Sequence, residues 1–329
     1  MSTRVFPSKL KTGDEVRIIA PGLSFAILSK ETIKTATGRL NDLGLKVSFG
    51  KHVGEIDELT SSSIESRLVD LHDAFSDKKV KAIFTVIGGF NSNQLLSYID
   101  WKTLSDNPKI FCGFSDITIL GNAIFAMTGL VTYSGPHYST FGQKLYFDYT
   151  LDYFKKCLFD DVSFEVKPSV NWSDDKWYID QNNRQLIKND SWWVINKGVA
   201  RGTLWGGNLC SLNLLQGTEY MPDMSGSILF LEDDYESKPH HIDRNLQSVL
   251  HQPKFKGVKG IVIGRFQNAS EIKKEPLTKM IQNKKELAGI PVVANVDFGH
   301  TDPKITFPIG GEVEMKVNSK NTTIRIIKH

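Results

Sequence analysis

The sequence of 329 residues has little of what marks several specialised classes of protein. Its three cysteines, Cys112, Cys157 and Cys210, are odd in number and widely spaced, which excludes a disulfide scaffold and a CxxC zinc site. Lys and Arg (40) nearly balance Asp and Glu (37), and no basic tract occurs, which argues against a dedicated nucleic-acid binder. No apolar run reaches the roughly 18 residues of a membrane span, and the N-terminus lacks an apolar signal core. We therefore expect a cytoplasmic protein that binds neither membrane nor nucleic acid.

The composition predicts a large folded interior. Hydrophobic residues make up 40% of the chain and charged residues 23%, which is typical of globular proteins and not of disordered ones. A mass of 37.0 kDa is large for a single core. We expect two domains or one large one.

The first half alternates short apolar runs with amphipathic segments. This alternation predicts βαβ units and an α/β fold built on a parallel sheet. Asn91, followed three residues later by Gln94, predicts a helix N-cap with a capping-box partner. The predicted strands are 16–20, 46–49, 80–87, 109–114 and 130–133, and the predicted helices are 30–43, 64–75, 94–99 and 117–127.

The second half has a different pattern. Residues 171–190 are polar, rich in Asp and Asn, and lack apolar periodicity, so they predict a long loop. Beyond this loop most of the apolar runs predict strands, and the last two alternate without an intervening helix, which indicates an antiparallel hairpin. We predict an N-terminal α/β domain over 1–165 and a smaller, β-rich domain over 166–329. The elements predicted after the loop are a helix at 209–215 and strands at 227–231, 260–263, 291–296, 312–317 and 323–327.

Ser115 lies where an apolar strand runs directly into a helical pattern, in the sequence Gly-Phe-Ser-Asp. A serine on such a tight turn has its Oγ exposed at the carboxyl edge of the sheet, as in a nucleophile elbow, where the following amide helps to form an oxyanion hole. The match is incomplete because the second glycine of GxSxG is absent. The alternative interpretation is that Ser115 only caps a helix.

One strand earlier, Gly88 and Gly89 form a second strand-to-helix junction. Paired glycines let backbone N–H groups approach a ligand closely, and a helix N-terminus favours negative charge. The Gly89 amide could therefore act beside that of Asp116 as an oxyanion donor. A phosphate-binding turn or a plain tight loop would give the same pattern.

A serine nucleophile needs a base, and the base needs an orienting carboxylate. His300 follows an apolar strand on a glycine-containing loop, which suits a rigid base that faces a cleft. Glu232 ends a buried-type strand, although Asp233 and Asp234 follow it and the pattern does not choose among the three acids. The adjacent pair His240–His241 suggests a metal site only weakly, because neighbouring residues point apart and no ligand spacing supports them.

Four of the six tryptophans lie in or beside the polar loop. Core packing explains tryptophan poorly in such sequence, whereas stacking on a nucleobase would explain it, at about 1–3 kcal/mol per base. Anchoring of the loop, or a dimer interface, is an equally good alternative. The four are Trp172, Trp177, Trp192 and Trp193.

Several motifs in this order resemble the LD-carboxypeptidase superfamily of serine peptidases over residues 5–325. They are VRIIAPG, FTVIGGFNSNQLL, KIFCGFSDIT, GGNL, FLEDD and NVDFGHTDP. The tryptophan-bearing insert and the run LLQGTEYMP resemble the microcin C immunity (MccF-like) branch of that superfamily.

The resemblance implies a Ser–Glu–His triad made of Ser115, Glu232 and His300, with the Gly89 and Asp116 amides as the oxyanion hole. It also implies a two-domain fold with the triad assembled between the domains, a homodimer, and no metal or organic cofactor.

For the MccF-like branch, the implied substrate is an aminoacyl or peptidyl nucleotide such as processed microcin C, cleaved at its amide or acyl-phosphoramidate bond as self-immunity or detoxification. We expect Trp177 and Trp192 to stack on the base, and Asn208 and Arg244 to contact the substrate. One alternative is a muropeptide LD-carboxypeptidase that removes terminal D-alanine from murein tetrapeptides. The other is a non-catalytic nucleotide-binding protein.

Overall fold

The computed structural model describes residues 4–329, which form a six-stranded sheet, an eight-stranded sheet and a two-stranded ribbon. The strands are β1 (Glu15–Ile19), β2 (Lys46–Phe49), β3 (Val80–Thr85), β4 (Ile110–Gly113), β5 (Thr132–Ser134), β6 (Phe164–Val166), β7 (Asn171–Trp172), β8 (Ile187–Lys188), β9 (Trp193–Asn196), β10 (Gly198–Asn208), β11 (Ser227–Glu232), β12 (Gly260–Gly264), β13 (Val292–Val296), β14 (Phe307–Ile309), β15 (Glu312–Val317) and β16 (Thr323–Lys328).

The longer helices are amphipathic, except α4, which is buried at every position from Thr118 to Ile124. Within residues 4–329, none is long and apolar enough to cross a lipid bilayer. The α-helices are α1 (Lys30–Asp42), α2 (Ile64–Ser76), α3 (Trp101–Asp106), α4 (Thr118–Thr128), α5 (Asp148–Leu158), α6 (Leu209–Asn213), α7 (Pro239–Leu250) and α8 (Lys274–Gln282).

The six-stranded sheet has the order β14-β5-β4-β3-β1-β2. The strands from the first half pair in parallel, which confirms the predicted parallel α/β fold. Strand β4 is buried throughout, and β3 is buried at all but one position, because a parallel sheet covered by helices has apolar neighbours on both faces. The edge strand β14 is antiparallel to β5 and comes from the far end of the chain.

The eight-stranded sheet has the order β6-β16-β15-β10-β11-β12-β13-β9. Strands β10 to β13 pair in parallel, and β15 and β16 form the predicted antiparallel hairpin. Strand β6 lies at the edge of this sheet and pairs with β16. The predicted boundary between residues 165 and 166 falls within β6 and stays a prediction.

Helix α4 connects the two sheets. The Asn122 Nδ2 atom donates a 2.8 Å hydrogen bond to the carbonyl of Gly206 in β10. The backbone N–H of Asn208, at the end of the same strand, donates to Thr118 Oγ1 at 2.9 Å. These buried bonds hold the start of α4, which follows Ser115, against the carboxyl end of β10.

The expected capping box at Asn91 does not form. Asn91 precedes a 3-10 helix, Ser92–Tyr98, but its side chain accepts no hydrogen bond from that helix. Its Nδ2 instead donates to Ser61 Oγ, and Gln94 accepts from the guanidinium of Arg67. The buried Arg67 therefore takes the partner that the local pattern assigned to the cap.

Candidate active site

The backbone at Ser115 is held in an uncommon conformation. Ser115 lies two residues beyond β4 and has a φ of +60°. This is the left-handed region of backbone conformation, which residues other than glycine rarely adopt. Such a conformation costs of the order of 1–3 kcal/mol and is typically retained at functional sites. A short 3-10 turn, Ser115–Ile117, then leads into α4. This is the strand–turn–helix arrangement that the sequence predicted.

Ser115, His300 and Glu232 form a continuous chain of hydrogen bonds. His300 Nε2 lies 2.9 Å from Ser115 Oγ, and His300 Nδ1 lies 2.7 Å from Glu232 Oε2. A carboxylate can only accept, so Nδ1 carries the proton and Nε2 can accept from the serine hydroxyl. The arrangement has the connectivity of a nucleophile, a general base and an orienting acid.

Glycines bring Glu232 and His300 close together. Glu232 ends β11, and His300 lies four residues beyond β13, next to Gly299. A Cβ atom on Gly299 would lie 2.6 Å from Glu232 Oε2, and Gly299 has a φ of +102°. Gly264, at the end of β12, would place a Cβ 2.8 Å from that of Glu232. A side chain at Gly299 would therefore collide with the carboxylate, and one at Gly264 would collide with the Phe298 carbonyl and with Glu232 Cβ.

His300 is mostly buried, with 17% of its side chain exposed, and Glu232 is almost fully buried at 2%. Burial alone would lower the pKa of His300. The charge of Glu232 and its hydrogen bond together outweigh that effect, so the pKa lies above the ordinary value for histidine. The charge of Glu232 therefore favours the imidazolium form of His300.

Glu232 is the one of the three candidate acids that contacts His300. Asp233 turns away and accepts hydrogen bonds from Asn208 Nδ2 and from the Asp234 amide, each at 3.1 Å. Burial, with the neighbouring charge of Glu232 in second place, raises the pKa of Asp233 to about 6. Asp234 lies at the surface end of the turn, where its side chain accepts from the Glu236 amide.

The Gly88–Gly89 turn lies directly against Ser115. A Cβ atom on Gly88 would lie 2.9 Å from Ser115 Cβ and 3.0 Å from its Oγ. Within residues 4–329, the amides of Gly89 and Asp116 donate no hydrogen bond to another protein group. The Asp116 carboxylate is occupied elsewhere, because it accepts from the amide of Ser92 at 2.9 Å. Both predicted oxyanion donors are thus unpaired amides in turns beside Ser115.

The four loop tryptophans have different surroundings. Trp172 lies beneath the guanidinium of Arg265, 5.0 Å from its ring centre. Trp192 and Trp193 are partly buried and pack against the hydrophobic core. Trp177 is half-buried and contacts the ring of Tyr178 edge-on at 5.9 Å.

Asn208 and Arg244 differ sharply in exposure. Asn208 is buried, and its Oδ1 caps α6 by accepting from the Ser211 amide at 2.9 Å. Arg244 is exposed on α7. On the same helix the rings of His240 and His241 lie 4.1 Å apart, so they do not point apart as expected. Across residues 4–329, no group of three or more His, Cys, Asp or Glu side chains is placed to hold a metal.

The sequence did not single out three residues that surround the triad. The Phe114 ring contacts the His300 ring edge-on, with 5.3 Å between the ring centres, and stacks on the His137 ring at 4.3 Å. The Lys304 ammonium lies over the face of the Phe114 ring. His137 is buried, and burial lowers its pKa well below the ordinary value for histidine. Phe114 adjoins Ser115 in the chain, whereas nothing in the local sequence marks His137.

Two family models match the chain. The LD-carboxypeptidase N-terminal domain of peptidase family S66 matches residues 16–135. The LD-carboxypeptidase C-terminal domain matches residues 201–315. The first contains Ser115 and the second contains Glu232 and His300.

Curated relatives cover nearly the whole chain. The Bacillus subtilis protein YocD is 54% identical over 99% of this chain and 100% of its own. A second Bacillus subtilis protein, named as a probable murein peptide carboxypeptidase, is 32% identical over 97% of this chain and 93% of its own.

Solved structures agree equally well. A MccF-like protein from Bacillus anthracis has a TM-score of 0.98 at 51% identity, with 99% of this chain and 100% of that chain covered. MccF in complex with glutamyl sulfamoyl guanosine has a TM-score of 0.88 at 28% identity, with 98% of each chain covered. The Escherichia coli MccF, a microcin C7 self-immunity protein, is 30% identical over 96% of this chain and 94% of its own. The chain belongs to the LD-carboxypeptidase family, peptidase family S66, and is an enzyme of the serine carboxypeptidase type.

Proposed function

We propose that Ser115, His300 and Glu232 are the catalytic triad of this peptidase. The observation that carries the proposal is the unbroken hydrogen-bond chain from Glu232 through His300 to Ser115 Oγ. All three residues lie at or just beyond the carboxyl ends of parallel strands, where α/β sheets commonly bind ligands. Family membership sets aside the non-catalytic alternative.

The proposed reaction proceeds through an acyl-enzyme. His300 takes the Ser115 proton as Oγ attacks the scissile carbonyl carbon, and the resulting oxyanion accepts hydrogen bonds from the Gly89 and Asp116 amides. His300 then gives its proton to the leaving nitrogen as the C–N bond breaks. In the second step His300 deprotonates water, which attacks the ester carbonyl and releases Ser115. Each oxyanion donor is worth about 2.7–4 kcal/mol in comparable enzymes.

We propose an aminoacyl or peptidyl nucleotide as the substrate, cleaved at its amide or acyl-phosphoramidate bond as in the detoxification of processed microcin C. The likeness to MccF bound to glutamyl sulfamoyl guanosine supports this substrate class. Trp177 is our first choice for a residue that stacks on the base, because it is half-exposed and its ring has one aromatic neighbour in the loop. Trp192, Asn208 and Arg244 complete the proposed contacts.

A second candidate substrate is a murein tetrapeptide, from which the same chemistry would release terminal D-alanine. The relative named as a probable murein peptide carboxypeptidase, with 32% identity, favours this candidate. Its identity to this chain is close to that of MccF, so overall similarity does not separate the two substrates.

Mass-spectrometric hydrolysis of two substrates tests the proposal. Purified enzyme is incubated with an aminoacyl sulfamoyl adenosine or with a murein tetrapeptide, and the Ser115→Ala variant is the control for each. We expect release of the free amino acid from the nucleoside compound by the wild type, and a rate lower by about 10⁴–10⁶-fold in the variant. Release of D-alanine alone would select the murein reaction, and an unchanged rate in Ser115→Ala would exclude Ser115 as the nucleophile.

The resemblance also leads us to propose that the enzyme acts in the cytoplasm and as a homodimer. Light scattering coupled to size-exclusion chromatography tests the dimer, which would have a mass of twice 37.0 kDa.

A further inference from the structure

Residues 171–190 are here called the tryptophan loop. The first end of this loop is hydrogen-bonded to the segment that leads to His300. Ser169 lies just before the loop and donates to both oxygens of the Asp297 carboxylate, from its amide at 3.0 Å and from its hydroxyl at 2.6 Å. Asp297 is fully buried and lies three residues before His300. The residue that precedes the loop is therefore bonded to a side chain of the segment that carries the proposed base.

The second end of the loop is hydrogen-bonded to the same segment. Asn295 Nδ2 donates to Asp190 Oδ1 at 2.8 Å and to the Ser191 carbonyl at 2.7 Å. Asn295 has a φ of +64°, in the left-handed region that asparagine adopts more readily than most residues. Trp193 Nε1 donates to the other oxygen of Asp190 at 3.0 Å. Both ends of the loop are thus tied to residues 295–297.

A buried ion pair joins the two attachments. Arg265 Nη2 lies 3.0 Å from Asp297 Oδ1, and Arg265 Nη1 donates to Asn295 Oδ1 at 2.8 Å. The side chains of Arg265 and Asp297 are only 2% and 0% exposed. The guanidinium also lies over Trp172 at the base of the loop. The Arg265 side chain therefore contacts Trp172 at the start of the loop. It also contacts Asn295 and Asp297, the two residues to which the ends of the loop are bonded.

Beyond His300 the loop makes a further contact. Ser173 and Asp302 exchange backbone hydrogen bonds of 2.7 and 2.8 Å, as in an antiparallel pair. The loop is therefore bonded to the chain on both sides of His300, at residues 295–297 before it and at Asp302 after it. A displacement of the loop base must be accommodated by the backbone on either side of the histidine.

Stability alone explains the ion pair poorly. Desolvation costs several kcal/mol per buried ion, and well-packed apolar replacements of such pairs are often neutral or stabilising. A charged pair that contacts the loop and the histidine segment together is better explained by the geometry it imposes.

We propose that Arg265 and Asp297 are positioning residues, which couple the tryptophan loop to the placement of His300. In this arrangement, a substrate that orders the loop also orders the base. The inference rests on the proposed triad and deepens it, because it adds a connection between substrate recognition and the catalytic step. Misplacement of a catalytic group by about 1 Å can cost about 100-fold in rate, even when the altered residue lies away from the chemistry.

The test compares two attachments of the same loop. Asp297→Asn removes the charge at the histidine segment. Ser169→Ala keeps that charge but removes the 2.6 Å hydroxyl contact with Asp297 and the 3.1 Å bond from Asn189 Nδ2 to Ser169 Oγ, and it serves if Asp297→Asn does not fold. The matched control is Asn268→Ala, which removes the 3.1 Å bond from Asn268 Nδ2 to Asp174 and loosens the loop where no triad residue is attached. The measurements are kcat and KM for an aminoacyl sulfamoyl adenosine, or for the murein tetrapeptide if only that is cleaved, and the rate at which a fluorophosphonate labels Ser115.

We expect Asp297→Asn to lower kcat by 10- to 100-fold and to slow labelling, with a smaller effect of the same kind in Ser169→Ala. Arg265→Lys, which keeps the charge, should fall between the wild type and Asp297→Asn. Asn268→Ala should raise KM and leave labelling unchanged. A folded Asp297→Asn or Ser169→Ala enzyme with wild-type kcat and labelling would overturn the coupling alone. A wild-type enzyme that neither labels nor hydrolyses either substrate would overturn the triad itself.

Discussion

Ser115 lies where its backbone places it, whereas His300 lies where the side chains of other residues hold it. The left-handed conformation of Ser115 and its close contact with Gly88 are set by neighbouring turns of a single sheet. His300 depends on Glu232 from another strand, and its segment is held through Asp297. The comparison teaches that one half of the site is specified locally and the other by buried charges from distant parts of the chain.

After Ser115→Ala, the largest effect is expected when the charge that holds His300 is removed. Glu232→Gln keeps the size of the side chain but removes the carboxylate that fixes the Nδ1–H tautomer. We expect kcat to fall by about 10⁴-fold, as for the equivalent acid in other serine peptidases, with the fold retained. Steady-state kinetics and circular dichroism provide the measurement. A loss of less than tenfold would show that His300 is held without its acid.

A smaller effect is expected for the backbone that holds Ser115. Gly88→Ala would place a methyl group 2.9 Å from Ser115 Cβ, so the turn or the serine must move. We expect about a 100-fold loss of kcat/KM, and a loss of about 1–3 kcal/mol in the free energy of unfolding. Kinetics and chemical denaturation measure the two effects.

The matched control for that change is Gly38→Ala in α1. A Cβ atom there meets nothing within 4 Å, and alanine favours a helix over glycine by up to about 1 kcal/mol. We expect unchanged activity and a small gain in stability. Equal losses in both variants would mean that Ser115 is not sensitive to its local backbone.

The smallest effect is the pH dependence. His300 must be neutral to act as a base, and its pKa is raised, so kcat/KM should fall with decreasing pH through a midpoint above about 6.5. Below the midpoint the loss should approach tenfold per pH unit. In Glu232→Gln the carboxylate charge is gone, so the midpoint should move to lower pH. An unchanged midpoint in Glu232→Gln would show that the measured titration does not belong to the His300–Glu232 pair.

The sequence predicted the local half of this picture better than the distant half. Continuous apolar runs and glycine turns are local signals, and they predicted the parallel sheet and the strand–turn–helix at Ser115. The choice among Glu232, Asp233 and Asp234 was left open by local pattern, because it depends on which carboxylate faces a histidine 68 residues away. The resemblance to a family, and not the pattern, selected Glu232.

Long-range partners explain what the sequence did not predict. Ser169 and Asp297 are separated by 128 residues, and neither lies in a motif that announces the other. The same reason applies to Asn91, whose expected cap was replaced by contacts with Ser61. The roles of the triad residues and the domain boundary remain predictions for experiment.

Strand β14 has a consequence for biosynthesis. It pairs with β5 at the edge of the first sheet, but the ribosome makes it only after residue 306. Until then β5 has an open edge, which is a template for pairing with another chain. Long-range pairing of this kind also slows folding. A nascent chain therefore exposes that edge while residues 135–306 are made, and His300 is added only shortly before the last strand of the first sheet.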